Sequence, residues 1–156
     1  MASQTDRLID DPAVALSPEP MSLPLGAVTV ALGFPSPAED FEEARIDLNQ
    51  LLIHNPPATF LYRAHGTSMI DAGICDGDIL IIDRSVTPRD GDIVIATWEG
   101  NQPTCKILRS RSDHLELHGC NPLSTPIHLN ADTDVEILAV TGVVRTLARR
   151  HRHTRI

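Results

Sequence analysis

Ala64-His65-Gly66-Thr67-Ser68-Met69-Ile70-Asp71-Ala72-Gly73-Ile74-Cys75-Asp76-Gly77-Asp78 runs straight into an apolar stretch, Ile79-Leu80-Ile81-Ile82. Gly66, two residues before Ser68, reads as a sharp bend that presents one hydroxyl, because glycine reaches backbone conformations closed to other residues. The turn Asp76-Gly77-Asp78 then launches a buried strand. A second unit repeats the pattern: Asp90-Gly91-Asp92 followed by Ile93-Val94-Ile95-Ala96. Aspartates around a glycine fit turn chemistry, and no full calcium loop surrounds either one. Upstream, Thr59-Phe60-Leu61-Tyr62-Arg63-Ala64 reads as the strand that delivers the Ser68 turn. Downstream, Trp98-Glu99-Gly100-Asn101 has the residues of a hairpin turn, leading into the strand Gln102 to Leu108. His114-Leu115-Glu116-Leu117 alternates as a strand does, Asn121-Pro122 turns the chain, and Val135 to Val140 through Val143-Val144 supplies the last strands. Short strands spaced by turns predict a mainly β fold with one or two short helices.

Serine alone is a weak nucleophile and needs a base within hydrogen-bond reach. No nearby histidine stands at a strand end. Lys106 does lie among apolar neighbours, Ile107 and Leu108. Lysine is rarely buried without a reason, and a buried lysine loses its proton readily and can then accept one. Alternation along the strand sends Cys105 away from the cleft if Lys106 faces it. On local sequence alone, a surface serine and a snorkelling lysine stay open as a purely structural reading of the pair. Cys75, Cys105 and Cys120 form no CxxC pair and have no base beside them, so they read as reduced thiols.

The spacing Gly66-x-Ser68-Met69-x-x-x-Gly73-Ile74-x-x-Gly77-Asp78, with Lys106 after the next strand pair, resembles the self-cleaving serine peptidases of the LexA/UmuD family. Gly33-Phe34-Pro35-Ser36-Pro37-Ala38 and Arg45-Ile46-Asp47-Leu48-Asn49-Gln50-Leu51-Leu52-Ile53 resemble the UmuD branch in particular. The resemblance runs in one frame from Leu32 to the C terminus. It implies a compact twisted β-sheet domain of the LexA/UmuD C-terminal type behind a flexible N-terminal arm. It also implies a Ser68–Lys106 dyad that cuts the chain's own Leu32-Gly33 bond, where the family usually has cysteine or alanine in place of Leu32. Backbone N–H groups of Thr67 and Ser68 are the expected oxyanion donors, with Gly66, Met69, Gly73 and Asp78 supporting the turn. The implied stimulus is the RecA filament on single-stranded DNA. The implied product is a homodimer of Gly33 to Ile156 that joins a Y-family, UmuC-like polymerase subunit in the SOS response. Neither a cofactor nor a metal is expected.

The 156 residues fit one domain with appendages: an arm over 1–32 and a β-rich domain over 33–156 with a basic tail. Hydrophobic content of 42% with only 3% aromatic predicts an aliphatic, β-branched core. A net charge of −8 argues against nucleic-acid binding by charge alone. No apolar run is long enough to span a bilayer, and Met1 to Asp11 lacks a signal core, so a cytoplasmic protein is expected. Pro12, Pro18, Pro20 and Pro24 mark residues up to Leu25 as a flexible arm. Gly26 to Leu32 alternates as a strand, either an edge strand or a substrate strand lying in the protein's own cleft. Ser36-Pro37-Ala38-Glu39 starts a helix with apolar positions at Phe41, Ala44, Leu48, Leu51 and Leu52; Asp47 offers a cap for a second short helix, and Asn55-Pro56-Pro57 ends it. Arg145 and the run Ala148 to Arg155 read as a solvated basic tail, and His151 and His153 as an incomplete metal site.

A LexA-like regulator is disfavoured because the arm shows no helix-turn-helix, so no direct sequence-specific DNA binding is expected. Two further readings stay open beside self-cleavage: a non-enzymatic β-domain that binds a polymerase or RecA, and a protease acting in trans.

Overall fold

The structure, a computed structural model, describes residues 19–26, 30, 32–33 and 44–148. The chain divides into two compact units, one up to Leu51 and one from Leu52 onward.

In the first unit β1 (Ser22–Leu25) pairs antiparallel with β2 (Ala44–Asp47), Ser22 opposite Asp47 and Leu25 opposite Ala44. The Arg45 guanidinium fastens the pair by donating to the Ser22 carbonyl at 2.6 Å and to its Oγ at 3.2 Å. Two expectations are corrected here. The end of the proline-rich arm is a strand, and Pro24 is tolerated because a two-stranded ribbon has outer edges that need no donor. Residues Ala44 to Asp47 are strand and not helix: their helical spacing lost to backbone pairing with β1, a partner the local pattern does not contain. The helix that does form, α1 (Leu48–Leu52), is capped as expected by Asp47, whose Oδ1 accepts the N–H of Asn49 at 2.8 Å and of Gln50 at 3.4 Å. The expected helix start at Ser36, most of the expected strand Gly26 to Leu32, and the basic run from Arg149 lie outside the described residues.

The second unit is one antiparallel sheet of seven strands in the order β3-β4-β9-β5-β6-β7-β8. These are β3 (Thr59–Arg63), β4 (Ile79–Asp83), β5 (Ile93–Trp98), β6 (Thr104–Ser110), β7 (His114–His118), β8 (Ile127–Asn130) and β9 (Val135–Val144). The hairpin at Trp98 to Asn101 forms, with Asn101 donating to the Trp98 carbonyl at 3.0 Å. The sheet buries apolar residues on both faces. Along β5, Ile95 belongs to a cluster with Leu80, Ile82, Met69 and Ile74, whereas Val94 and Ala96 join Leu108, Leu117 and Leu129. The core is aliphatic, as the low aromatic content predicts. No described helix is long and apolar enough to cross a membrane.

β9 holds the two halves of the sheet together. Its N-terminal half, Val135 to Ala139, pairs with β5, and its C-terminal half, Ala139 to Val144, pairs with β4. The register slips between Ile81 and Ile82, leaving Thr141 as the extra residue of a bulge. A bulge bends its strand and deepens the local twist. That curvature matters because β3 and β6 are four strand spacings apart, about 19 Å in a flat sheet.

Candidate active site

The loop from Ala64 to Asp78 leaves the end of β3 and is clamped at both ends. Gly77 donates to the Ala64 carbonyl and Ala64 donates to that of Asp78, each at 2.8 Å, so the β3–β4 pairing continues one step into the loop. Gly66 adopts φ +95°, a left-handed conformation that a side chain disfavours. Its N–H reaches the Asp76 carboxylate at 2.7 Å, and that bond is the main reason the Asp76 carboxyl lies below its usual value. Met69 is buried, and its carbonyl accepts the N–H groups of Ala72 and Ile74 around a single 3-10 turn, Ile70–Ala72. Gly73 closes that turn at φ +83°.

Ser68 stands in the middle of this loop, half-buried. The Lys106 ammonium, carried on β6, donates to Ser68 Oγ at 2.9 Å and to the Cys105 carbonyl at 3.2 Å. The loop that follows β3 therefore meets β6 across β4, β9 and β5. Burial lowers the Lys106 pKa from its ordinary value, because a desolvated ammonium is destabilised relative to the neutral amine. Burial pushes the Cys105 thiol up to about 11, which keeps it protonated and a poor nucleophile.

A groove of about 330 Å3 opens beside Ser68, lined by Tyr62, Ala64, Gly66, Ile95, Pro103 and Cys105 among others. Cys105 lines it together with Ser68, against the expectation that it would face away once Lys106 reached the serine. The flexible lysine stem resolves the difference. Cys105 follows the strand alternation and packs with the Ile95 cluster, whereas Nζ bends back over its own strand to the Cys105 carbonyl. Among the described residues, no acceptor takes the backbone N–H of Thr67 or Ser68.

Three further contacts hold the loop, and sequence reasoning missed all of them. Cys120, just past β7, donates its N–H to the Ser68 carbonyl. The Asn121 amide donates to the Thr67 carbonyl at 3.1 Å. Arg145 is no part of a solvated tail: its guanidinium grips Asp78, with Nε on Oδ1 at 2.6 Å, and reaches the Gly73 carbonyl at 2.7 Å. Asp78 is only 2% exposed. The Arg145 guanidinium first, and the Cys75 N–H second, hold its carboxyl down at about 2. Leu32 lies fully exposed at a bend with Gly33.

Comparison with known proteins places the chain in a wider group. The family model described as Peptidase S24-like matches residues 24–144. Protein ImpA of Salmonella typhimurium is 38% identical over 132 residues, covering 85% of this chain and 87% of that protein. Protein SamA of Salmonella typhimurium strain LT2 is 35% identical over 144 residues, 90% of this chain and 96% of that protein. The LexA repressor of Azoarcus sp. strain BH72 is 38% identical over 131 residues, 84% of this chain but 62% of the repressor.

Proposed function

Since the chain belongs to the Peptidase S24-like family of LexA/UmuD-type proteins, we propose that it is a serine–lysine peptidase that cuts its own Leu32-Gly33 bond. The observation that carries this reading is the 2.9 Å contact between Lys106 Nζ and Ser68 Oγ, made by a lysine whose burial favours the neutral amine. Ser68 Oγ attacks the Leu32 carbonyl carbon while neutral Lys106 takes the hydroxyl proton. The oxyanion is held by the Thr67 and Ser68 N–H groups. The peptide bond then breaks, and the Lys106 ammonium returns its proton to the Gly33 nitrogen. Water, deprotonated by Lys106 in turn, releases Leu32 from the serine ester. The substrate is tethered, so proximity is supplied by the chain itself.

An enzyme that always cut itself would have no use for its intact form. The scissile strand therefore visits the groove in a minor population, which a RecA filament on single-stranded DNA raises by binding that state better. The product, Gly33 to Ile156, acts as a homodimer and as the accessory subunit of a Y-family, UmuC-like translesion polymerase in the SOS response. The protein works in the cytoplasm, without a cofactor. Intact-mass measurement after incubation with RecA, an ATP analogue and single-stranded DNA tests this reading. Wild type should yield a fragment beginning at Gly33, and Ser68→Ala should stay whole. A fragment from Ser68→Ala, or a cut elsewhere, would overturn it.

A further inference from the structure

β7 and β8 carry a second cluster of reactive side chains that the peptidase reading leaves unused. On β7, His114, Glu116 and His118 alternate with Leu115 and Leu117 and so share one face. β8 pairs Glu116 with His128, which brings a third imidazole to the same spot. The Glu116 carboxylate is the hub. Its Oε2 is held by His118 Nε2 at 2.7 Å and by the Arg111 guanidinium at 3.0 Å. Its Oε1 faces His114 Nε2 at 3.1 Å and His128 Nδ1 at 3.8 Å. We propose that Glu116 Oε1, His114 Nε2 and His128 Nδ1 form a binding site for a divalent transition cation of the zinc class.

Tautomer chemistry supports it. His114 Nδ1 lies 2.6 Å from the Asp113 carboxylate. A carboxylate only accepts, so Nδ1 carries the ring proton. In the neutral ring Nε2 then presents a lone pair towards another acceptor, Glu116 Oε1, so the pair is closed either by a second proton on the ring or by a metal ion bound to both atoms. A proton on Nε2 would satisfy that pair but would leave His128 unused, because 3.8 Å is beyond hydrogen-bond reach. A metal ion uses all three. The three donor atoms lie within 4.8 Å of one another. Zinc bonds of about 2.0–2.1 Å set donors about 3.3 Å apart in a tetrahedron, between the two separations to Oε1. The carboxylate behind His114 is the usual outer support of a metal-bound imidazole. Arg111 pairs with the other carboxylate oxygen, Oε2, which leaves Oε1 for the ion. The His128 side chain is 63% exposed, which leaves an entry path and a fourth position for water. The ion would tie β8, the edge strand, to β7, whose next residues hold the Ser68 loop.

The test is equilibrium dialysis of the full-length chain against Zn2+ at neutral pH, with the Co2+ absorption spectrum as a second readout. The structure calls for one ion per chain and an intense tetrahedral Co2+ band. His128→Gln and His114→Gln should each weaken binding at least about tenfold, and Asp113→Ala about 10–100-fold, as outer supports do. The double variant His151→Gln/His153→Gln should bind as wild type does. The proposal is overturned if no stoichiometric ion binds, which leaves a proton-only cluster. It is equally overturned if binding survives His128→Gln unchanged, or is lost with the two tail histidines.

Discussion

The turn Asp76-Gly77-Asp78 and the turn Asp90-Gly91-Asp92 are built alike. In each, the glycine donates to a carbonyl on an adjacent segment and the second aspartate's carbonyl accepts that residue's N–H, all at 2.8 Å; the clasped residue is Ala64 in the first turn and Leu108 in the second. Both second aspartates accept a backbone N–H from three residues back at 2.8 Å, from Cys75 and from Arg89. Each first aspartate holds a distant N–H, of Gly66 at 2.7 Å or Ser110 at 2.8 Å. They differ in what leaves the clasp. Leu108 sits inside β6, so the second turn only staples a strand. Ala64 directly follows β3 and opens the loop, so the first turn mounts the Ser68 loop. Only Asp78 is buried under an arginine, whereas Asp92 is exposed. A turn that can be read locally becomes the mount of a site through one added charged contact, Arg145.

Among changes to the two turns, breaking that contact should have the largest effect. Asp78→Asn removes the charge that Arg145 grips and lets the loop shift; a displacement of about 1 Å at a reacting group can slow a reaction about 10²-fold. Asp92→Asn should leave the self-cleavage rate unchanged, and equal rates for the two variants would erase the distinction. Acid sharpens the contrast. The Asp78 carboxyl sits at about 2 in the folded chain, against an ordinary 3.8. Between those values the unfolded chain binds the extra proton, so this stabilisation is complete above about pH 4 and is lost as pH falls towards about 2. Denaturant midpoints across that range should fall less steeply for Asp78→Asn than for wild type.

Gly119 gives the next effect, from the opposite side of the loop. A Cβ there would lie 2.3 Å from Ser124 Oγ and 3.1 Å from the Ser68 carbonyl oxygen. Gly119→Ala should destabilise by about 1–3 kcal/mol, as overpacking does, and should slow cleavage as well. Unchanged cleavage kinetics would show that Ser68 is not held from this side. The smallest contrast is between Gly77→Ala and Gly91→Ala. Both glycines adopt left-handed φ, +86° and +91°. Each substitution should therefore lose about 1–2 kcal/mol in urea denaturation, with only Gly77→Ala slowing cleavage.

The two turns and the strands they launch were legible because each is a local pattern, whereas Ser68 and Lys106 were paired through the family resemblance, since local sequence left a structural reading of them open. What was not legible depends on partners remote in sequence. Arg145 reads as the first of a basic series until Asp78, 67 residues away, is seen beneath it. Asn121 reads as half of a turn with Pro122, yet its amide holds Thr67. Ala44 to Asp47 carries helical spacing, and β1 overrides it. Glu116 reads as the polar position of an alternating strand; only the β7–β8 register shows three histidines around it. The His114-x-Glu116-x-His118 spacing was the available signal, since period 2 puts all three on one face.

The dyad is tested most directly by the rate of spontaneous cleavage of the intact chain as a function of pH, without any partner. Burial lowers the Lys106 pKa, so the rate should climb about tenfold per pH unit on the alkaline side of neutrality and level off before the ordinary lysine value is reached. Lys106→Met should show no cleavage at any pH. Its stability should also lack the rise with pH that wild type gains between the folded and unfolded lysine values, where the unfolded chain binds the extra proton. A flat rate profile in wild type, or a Lys106→Met chain that still cuts after Leu32, would contradict a Ser68–Lys106 peptidase.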